Sequence, residues 1–207
     1  MRHVLDAEFF RRWMLATAAV VDREAARLTE LDSAIGDADH GANLQRGFTA
    51  VRAALEAEPP QTPGAVLVLA GRQLISKVGG ASGPLYGTLL RGTGKALGDD
   101  AEVTDAALRA ALDEGVGAVA KLGGAAPGDK TMLDALVPAV AALGDGDYGA
   151  ARAAAEKGAE DTVPLQARKG RASYLGERSI GHRDPGATSS ALLVGALAET
   201  AEAVTGG

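Results

Sequence analysis

The chain has 207 residues, 21 Lys and Arg against 27 Asp and Glu for a net charge of −6, no cysteine and 3% aromatic residues. The length fits one domain with a substantial core, the lack of cysteine excludes disulfides, thiolate catalysis and cysteine-ligated metals, and the negative balance argues against nonspecific binding to nucleic acid or anionic membrane. With 46% hydrophobic residues but so few aromatics, alanine, leucine and valine must fill the interior, which favours close-packed helices over a sandwich.

The opening Met1-Arg2-His3-Val4-Leu5-Asp6-Ala7-Glu8 carries charges where a signal peptide has its apolar stretch. No apolar run reaches the roughly 18 to 20 residues of a membrane span. The expectation is a soluble, cytoplasmic protein forming a single domain over 1–207.

Helical periodicity dominates the chain. Residues 6–28 place Phe9, Phe10, Trp13, Met14, Val20 and Val21 on one face, with Thr17 the polar member of the stripe and Asp6 the N-cap. An acidic loop follows, then a predicted helix over 41–57 that Pro59-Pro60 stops. Thr62-Pro63 reads as an N-cap with proline at the first helical position, opening a helix to about 78. Gly79-Gly80-Ala81-Ser82-Gly83 breaks it, and Pro84 opens a fourth helix to about 97. Thr104 caps a fifth over 105–122. A sixth is predicted over 130–143 and a seventh over 148–163. Residues 166–185 read as a long basic loop, and an eighth helix over 186–204 closes the chain. There is no period-2 strand pattern and no internal repeat. The prediction is all-α, with about eight antiparallel amphipathic helices.

Within the acidic loop, Asp32, Asp37 and Asp39 fall within eight residues, beside Gly36 and Gly41. Asp37 and Asp39 can point the same way, and Asp32 can fold over them from the preceding helix. Three carboxylates brought together repel one another unless a hard divalent cation joins them. Mg²⁺ prefers such oxygen ligands and keeps waters and phosphate oxygens as its others. The loop also leads into a helix start, whose free N–H groups near residues 40–43 favour phosphate. The plain alternative is a solvated acidic turn with Asp39 as the helix cap.

Two further segments suit an anion. Val78-Gly79-Gly80-Ala81-Ser82-Gly83-Pro84 lets backbone N–H groups approach closely, although it lacks the Gly-Lys-Ser/Thr ending of a Walker A loop and serves equally as a helix–helix turn. Residues 166–186 gather five cations, Arg168, Lys169, Arg171, Arg178 and Arg183, in an acidic protein. Arginine forks match phosphate oxygens, and loops of this length are uncommon unless functional or disordered. His40 and His182 are candidate nucleophiles or bases with no partner identifiable from sequence. Met132 and Leu133 read as core by helical spacing.

Taken in order, Leu31-Asp32-Ser33-Ala34-Ile35-Gly36-Asp37-Ala38-Asp39-His40-Gly41, Val78-Gly79-Gly80-Ala81-Ser82-Gly83-Pro84-Leu85-Tyr86-Gly87, Pro127-Gly128-Asp129-Lys130-Thr131-Met132 and residues 166–188 resemble the L subunits of bacterial dihydroxyacetone kinases. The resemblance spans nearly the whole chain. It implies an eight-helix barrel with ADP or ATP at one end, its phosphates on two Mg²⁺ ions held by Asp32, Asp37 and Asp39. His40, Gly41, Ala42, Asn43, Ala81 and Ser82 would lie along the nucleotide, and Gly123 and Met132 would line the adenine end. Arg171 and the turn Asp184-Pro185-Gly186 would complete the site. The implied partners are a K subunit carrying dihydroxyacetone and a phosphotransferase-system M subunit that rephosphorylates bound ADP, with a transcription regulator as a further contact. No side chain of the chain itself need be phosphorylated.

Two departures from the family pattern stand out. Ala38 occupies a position usually held by glycine, which counts against a left-handed backbone there. Ala42 and Leu44 replace a usual threonine and methionine, so any contact from Ala42 rests on its backbone N–H. The competing readings are a separated nucleotide domain of an ATP-dependent dihydroxyacetone, other-sugar or fatty-acid kinase, and a nonenzymatic regulatory binding protein.

Overall fold

A computed structural model of the protein describes residues 4–205; the start of the charged N-terminal segment, 1–3, lies outside the described residues, as do 206–207. Asp6 begins the architecture. Leu5–Asp6 is a two-residue strand, β1, and the Asp6 carboxylate then accepts the Phe9 N–H at 2.9 Å to start the helix α1, Ala7–Ile35. The apolar stripe of α1 faces inward as its spacing predicts, with Phe9, Phe10, Trp13, Met14 and Val21 buried. Thr17, buried among them, donates its hydroxyl to the Trp13 carbonyl at 2.9 Å, which is how a polar residue is accommodated in the stripe.

Seven more α-helices follow: α2 His40–Ala57, α3 Pro63–Lys77, α4 Ser82–Leu97, α5 Asp105–Gly123, α6 Leu133–Leu143, α7 Tyr148–Glu160 and α8 Pro185–Thr205. Thr62 and Thr104 cap α3 and α5 through their hydroxyls, as their sequence positions predict. A second short strand, β2 at Glu102–Val103, pairs antiparallel with β1 and was not expected from the pattern, because two-residue strands carry no periodicity.

Each helix packs against the next, and α8 returns against α1, so the eight close into a ring. Trp13 joins the seam by donating its indole N–H to the Leu193 carbonyl at 2.9 Å. Phe10 meets Phe9 and Trp13 edge to face, at 5.5 and 6.0 Å between ring centres. Alanine, leucine and valine fill most of the remaining interior, as the composition requires. Tight crossings depend on glycine: a Cβ on Gly41 would sit 1.9 Å from the Ala25 carbonyl oxygen, so α2 rests directly on the α1 backbone.

Several boundaries differ from the sequence expectation. Helix α1 continues past 28 to Ile35, bringing Asp32 into its last turn. Helix α4 starts at Ser82, two residues before Pro84. Helix α6 starts at Leu133 rather than 130, because Lys130 is left-handed at φ 64° and cannot belong to a right-handed helix. Helix α7 stops at Glu160. The supposed loop over 166–185 contains a 3₁₀ segment, Arg171–Ser179, broken at Gly176, where φ is 58°. Leu133 is core by spacing as expected, while Met132 sits just before the helix and reaches the cavity described next.

Candidate functional site

In an up-and-down ring every second connection falls at the same end. The α1–α2, α3–α4, α5–α6 and α7–α8 connections therefore share one rim, and together they enclose a cavity of about 430 Å³.

The α1–α2 connection supplies the acidic wall. One carboxylate oxygen from each of Asp32, Asp37 and Asp39 lies within 4.8 Å of the other two. Asp32 is buried and does the capping that Asp39 might have done. Its Oδ2 accepts the N–H groups of Asp39 at 2.9 Å and His40 at 3.1 Å, whereas the Asp39 side chain caps nothing. The Asp32 carboxylate lies where a side chain on residue 36 would be, since a Cβ on Gly36 would fall 2.1 Å from Asp32 Oδ1. Ala38 is left-handed at φ 60°, contrary to the expectation that alanine disfavours that conformation, and this turn separates Asp37 from Asp39. Arg171 Nε pairs with Asp37 Oδ2 at 3.0 Å.

Of the N–H groups expected to be free at the start of α2, His40 donates to Asp32 and Asn43 to the Asp39 carbonyl. Those of Gly41 and Ala42 have no protein acceptor among the described residues. Gly41, Ala42 and Asn43 do not line the cavity, whereas His40, Ala81, Ser82, Gly123, Met132, Arg171, Asp184, Pro185 and Gly186 do. The Asn43 side chain is turned toward Arg46, accepting from its guanidinium, and Arg46 also donates to the Lys77 carbonyl at 3.0 Å.

His40 is the hub between walls. Its Nδ1 lies 3.1 Å from Ser82 Oγ of α4 and its Nε2 lies 2.9 Å from Ser189 Oγ of α8. Burial holds its pKa below the ordinary imidazole value against the pull of the three aspartates. Ser189 continues to Tyr86, whose hydroxyl is 2.5 Å from it and 2.9 Å from Ser190 Oγ. Burial raises the Tyr86 phenol to about 12, so it stays protonated. Both ring nitrogens of His40 are thus occupied by hydroxyls, which fits a linchpin rather than a nucleophile. His182 is exposed and does not border the cavity.

The α5–α6 connection is organised by Asp134, which accepts the N–H groups of Gly128 at 2.6 Å and Thr131 at 2.7 Å. Leu85, Val119, Leu122, Met132 and Leu133 give this side of the cavity an apolar surface. The α7–α8 connection is an Ω-loop with a closed neck: the Gly181 N–H donates to the Val163 carbonyl at 2.8 Å, and the Ala167 N–H to Ser179 Oγ at 2.9 Å. It carries Lys169, Gly170 and Arg171 to the cavity. Asp184 then caps α8 by accepting the Ala187 N–H at 2.7 Å. Burial lifts its carboxyl to about 7, against that N–H and the Lys130 ammonium, which pull it down.

Residues 34–199 match the model of the DAK2 domain. The chain belongs to the DAK2-domain family. Over 92% of its length it is 43% identical to the ADP-binding subunit DhaL of the PEP-dependent dihydroxyacetone kinase of Escherichia coli, covering 95% of that protein. It is 39% identical to the ADP-binding subunit DhaL of the PTS-dependent dihydroxyacetone kinase of Lactococcus lactis, with 90% of this chain and 94% of that one covered. Among solved structures, the dihydroxyacetone kinase of C. freundii in complex with AMP-PNP and Mg²⁺ superposes with a TM-score of 0.72 at 28% identity. That superposition covers 93% of this chain and about a third (33%) of the larger one. This family member also matches L-erythrulose 1-kinase of Mycolicibacterium smegmatis at 40% identity, over 32% of that protein.

The residues present fit a magnesium–nucleotide. Three carboxylates make a hard-oxygen donor set, and the cavity falls within the range of small-molecule sites. Sequence reasoning quoted Gly36, Tyr86, Lys130 and Thr131 within its motifs but gave them no role in the site. Gly36 and Lys130 act through contacts that only the folded chain creates, and nothing in the sequence singles out the Tyr86 hydroxyl.

Proposed function

We propose that this chain is the nucleotide-carrying subunit of a PEP-dependent dihydroxyacetone kinase. In this reading it acts as one cytoplasmic domain that retains ADP with two Mg²⁺ ions. A phosphotransferase-system M subunit phosphorylates the ADP, and the phosphoryl group passes to dihydroxyacetone on a K subunit. The observation that carries the reading is the convergence of three carboxylate oxygens within 4.8 Å at a cavity of about 430 Å³ that Leu85, Val119, Leu122, Met132 and Leu133 also line. Relatives named as ADP-binding subunits, covered over 95% and 94% of their own length, support a subunit role.

Bound Mg²⁺ supplies charge neutralisation across the phosphate oxygens during transfer. Asp37 and Asp39, exposed and free of capping duty, present their carboxylates as ligands. Asp32 keeps Oδ1 for the same purpose while its Oδ2 holds the loop. Arg171, set beside Asp37, would offer its guanidinium to the phosphates of a magnesium–nucleotide held there. The dipole of α2, whose first residue His40 lines the cavity, favours the same anion. Leu85, Met132 and Leu133, with Gly123, give the cavity apolar surface that suits a purine ring.

The test is to release the nucleotide from purified protein, identify it and count magnesium per chain. ADP with about two metals supports the reading; protein free of both counts against it. Asp37→Ala is expected to weaken Mg–ADP binding by more than about a hundredfold with the helical circular dichroism unchanged, and an unaltered affinity would sink the ligand assignment. A second reading, the nucleotide domain of an ATP-dependent kinase, draws on the match inside L-erythrulose 1-kinase. Labelled ADP that stays on the protein through several turnovers favours the carrier, and free exchange favours this alternative.

A further inference from the structure

Lys130 is a buried cation to which the nucleotide reading gives no role. Only 1% of it is exposed, in a left-handed backbone at φ 64° that a lysine adopts at a cost. Its Nζ donates to the Leu165 carbonyl at 3.0 Å and to the Ser179 carbonyl at 2.7 Å. Those carbonyls belong to the two opposite legs of the Ω-loop. The neighbouring backbone takes part as well, with the Arg168 N–H donating to the Asp129 carbonyl at 3.1 Å. Ser179 strengthens the same knot by accepting the Ala167 N–H and donating to the Gly176 carbonyl at 2.6 Å.

We propose that Lys130 is a positioning residue: its buried ammonium staples both legs of the Ω-loop to the α5–α6 connection and thereby holds Arg171 over the acidic cluster. The ammonium's three donors let one side chain reach the Leu165 and Ser179 carbonyls at once, and its charge strengthens both hydrogen bonds. The left-handed turn at 130 is what aims the side chain away from the α6 helix and into the loop neck. The loop's own basic residues, Arg168, Lys169, Arg171 and Arg178, are exposed, so the loop needs an anchor from elsewhere in the fold. Only the last link, from loop position to nucleotide affinity, rests on the nucleotide reading.

The experiment compares the full chain with Lys130→Gly and Lys130→Met, with Lys130→Gln in reserve. Lys130→Gly removes the ammonium while relaxing the left-handed backbone, whereas Lys130→Met removes it and keeps the Cβ. Without nucleotide or metal, trypsin is expected to cut at Arg168, Lys169, Arg171 or Arg178 at least about tenfold faster in both Lys130 variants, at unchanged helical circular dichroism. Loop cleavage at the wild-type rate overturns the staple. With Mg–ADP, Lys130→Gly is expected to weaken binding about tenfold, and adding Arg171→Ala to it should cost little more, because the arginine is already misplaced. Additive losses would mean that Lys130 does not act through Arg171, and overturn that part. If wild-type protein binds no Mg–ADP, the nucleotide reading fails while the cleavage rates still judge the staple. If neither of these variants folds, Lys130→Gln, which keeps a shorter neutral side chain and loses the ammonium, takes their place: faster loop cleavage supports the staple and cleavage at the wild-type rate overturns it.

Discussion

At Ala38 the backbone is held where an L-residue with a Cβ is disfavoured, at φ 60° between two aspartates. Strain of this kind persists where surrounding contacts over-determine it, and here Asp32 grips the Asp39 and His40 N–H groups from the far side of the turn. Ala38→Gly is expected to stabilise the protein by about 1 kcal/mol, or roughly 2–4 °C in Tm, because glycine meets no steric cost there. Mg–ADP affinity should not fall; calorimetry with and without ligand checks both parts. Gly36 is constrained in the opposite sense, by space. A Cβ 2.1 Å from Asp32 Oδ1 cannot be tolerated without moving that carboxylate. Gly36→Ala should therefore weaken Mg²⁺ binding about tenfold or more, at a position with no contact to the metal, measurable by titration calorimetry.

The helices themselves were largely readable from the chain, because each carries its own punctuation. Asp6, Thr62 and Thr104 cap the helices that the apolar spacing outlines. What could not be read was set by neighbours distant in sequence. Helix α1 extends to Ile35 because its last turn presents Asp32 to α2, and that reward is invisible until α2 lies alongside. Lys130 was assigned to a helix because lysine gives no warning of a left-handed turn. The acidic cluster was legible because its three members are adjacent in sequence, whereas the Ser82–His40–Ser189–Tyr86 chain joins three helices and left no local trace. Between elements, glycine sets the approach distance. A Cβ on Gly64 of α3 would sit 2.3 Å from the Gly98 carbonyl oxygen beyond α4, at the end away from the cavity. Gly64→Ala is expected to destabilise the fold by about 1–3 kcal/mol in urea unfolding while leaving Mg–ADP affinity of the folded protein intact.

For the whole molecule, buried Asp184 makes stability depend on pH in an unusual direction. Its folded pKa is raised from 3.8 to about 7, chiefly by burial, so between those values the native chain holds a proton that the unfolded chain has lost. Stability must then fall as pH rises across that window, by up to roughly 1.4 kcal/mol per pH unit for this one group. Metal-free protein should show a lower urea midpoint at pH 7 than at pH 5. Asp184→Asn, which keeps an oxygen for the Ala187 N–H, should flatten that difference. An equal slope in the two proteins would assign the effect to other carboxylates.

The ring has an even number of α-helices, and this parity fixes where the described chain enters and leaves. Helix α1 runs toward the cavity for its 29 residues and α8 runs away from it for 21, so Leu5 and Thr205 both lie at the opposite rim, on the order of 30–40 Å from the acidic cluster. A domain joined at either end would hang from the base and leave the mouth clear. That geometry suits a sequence pattern that covers 95% of one relative and about a third (34%) of the C. freundii dihydroxyacetone kinase chain. Appending a folded carrier to either terminus should leave Mg–ADP affinity unchanged, whereas the same carrier spliced into the Ω-loop should abolish it.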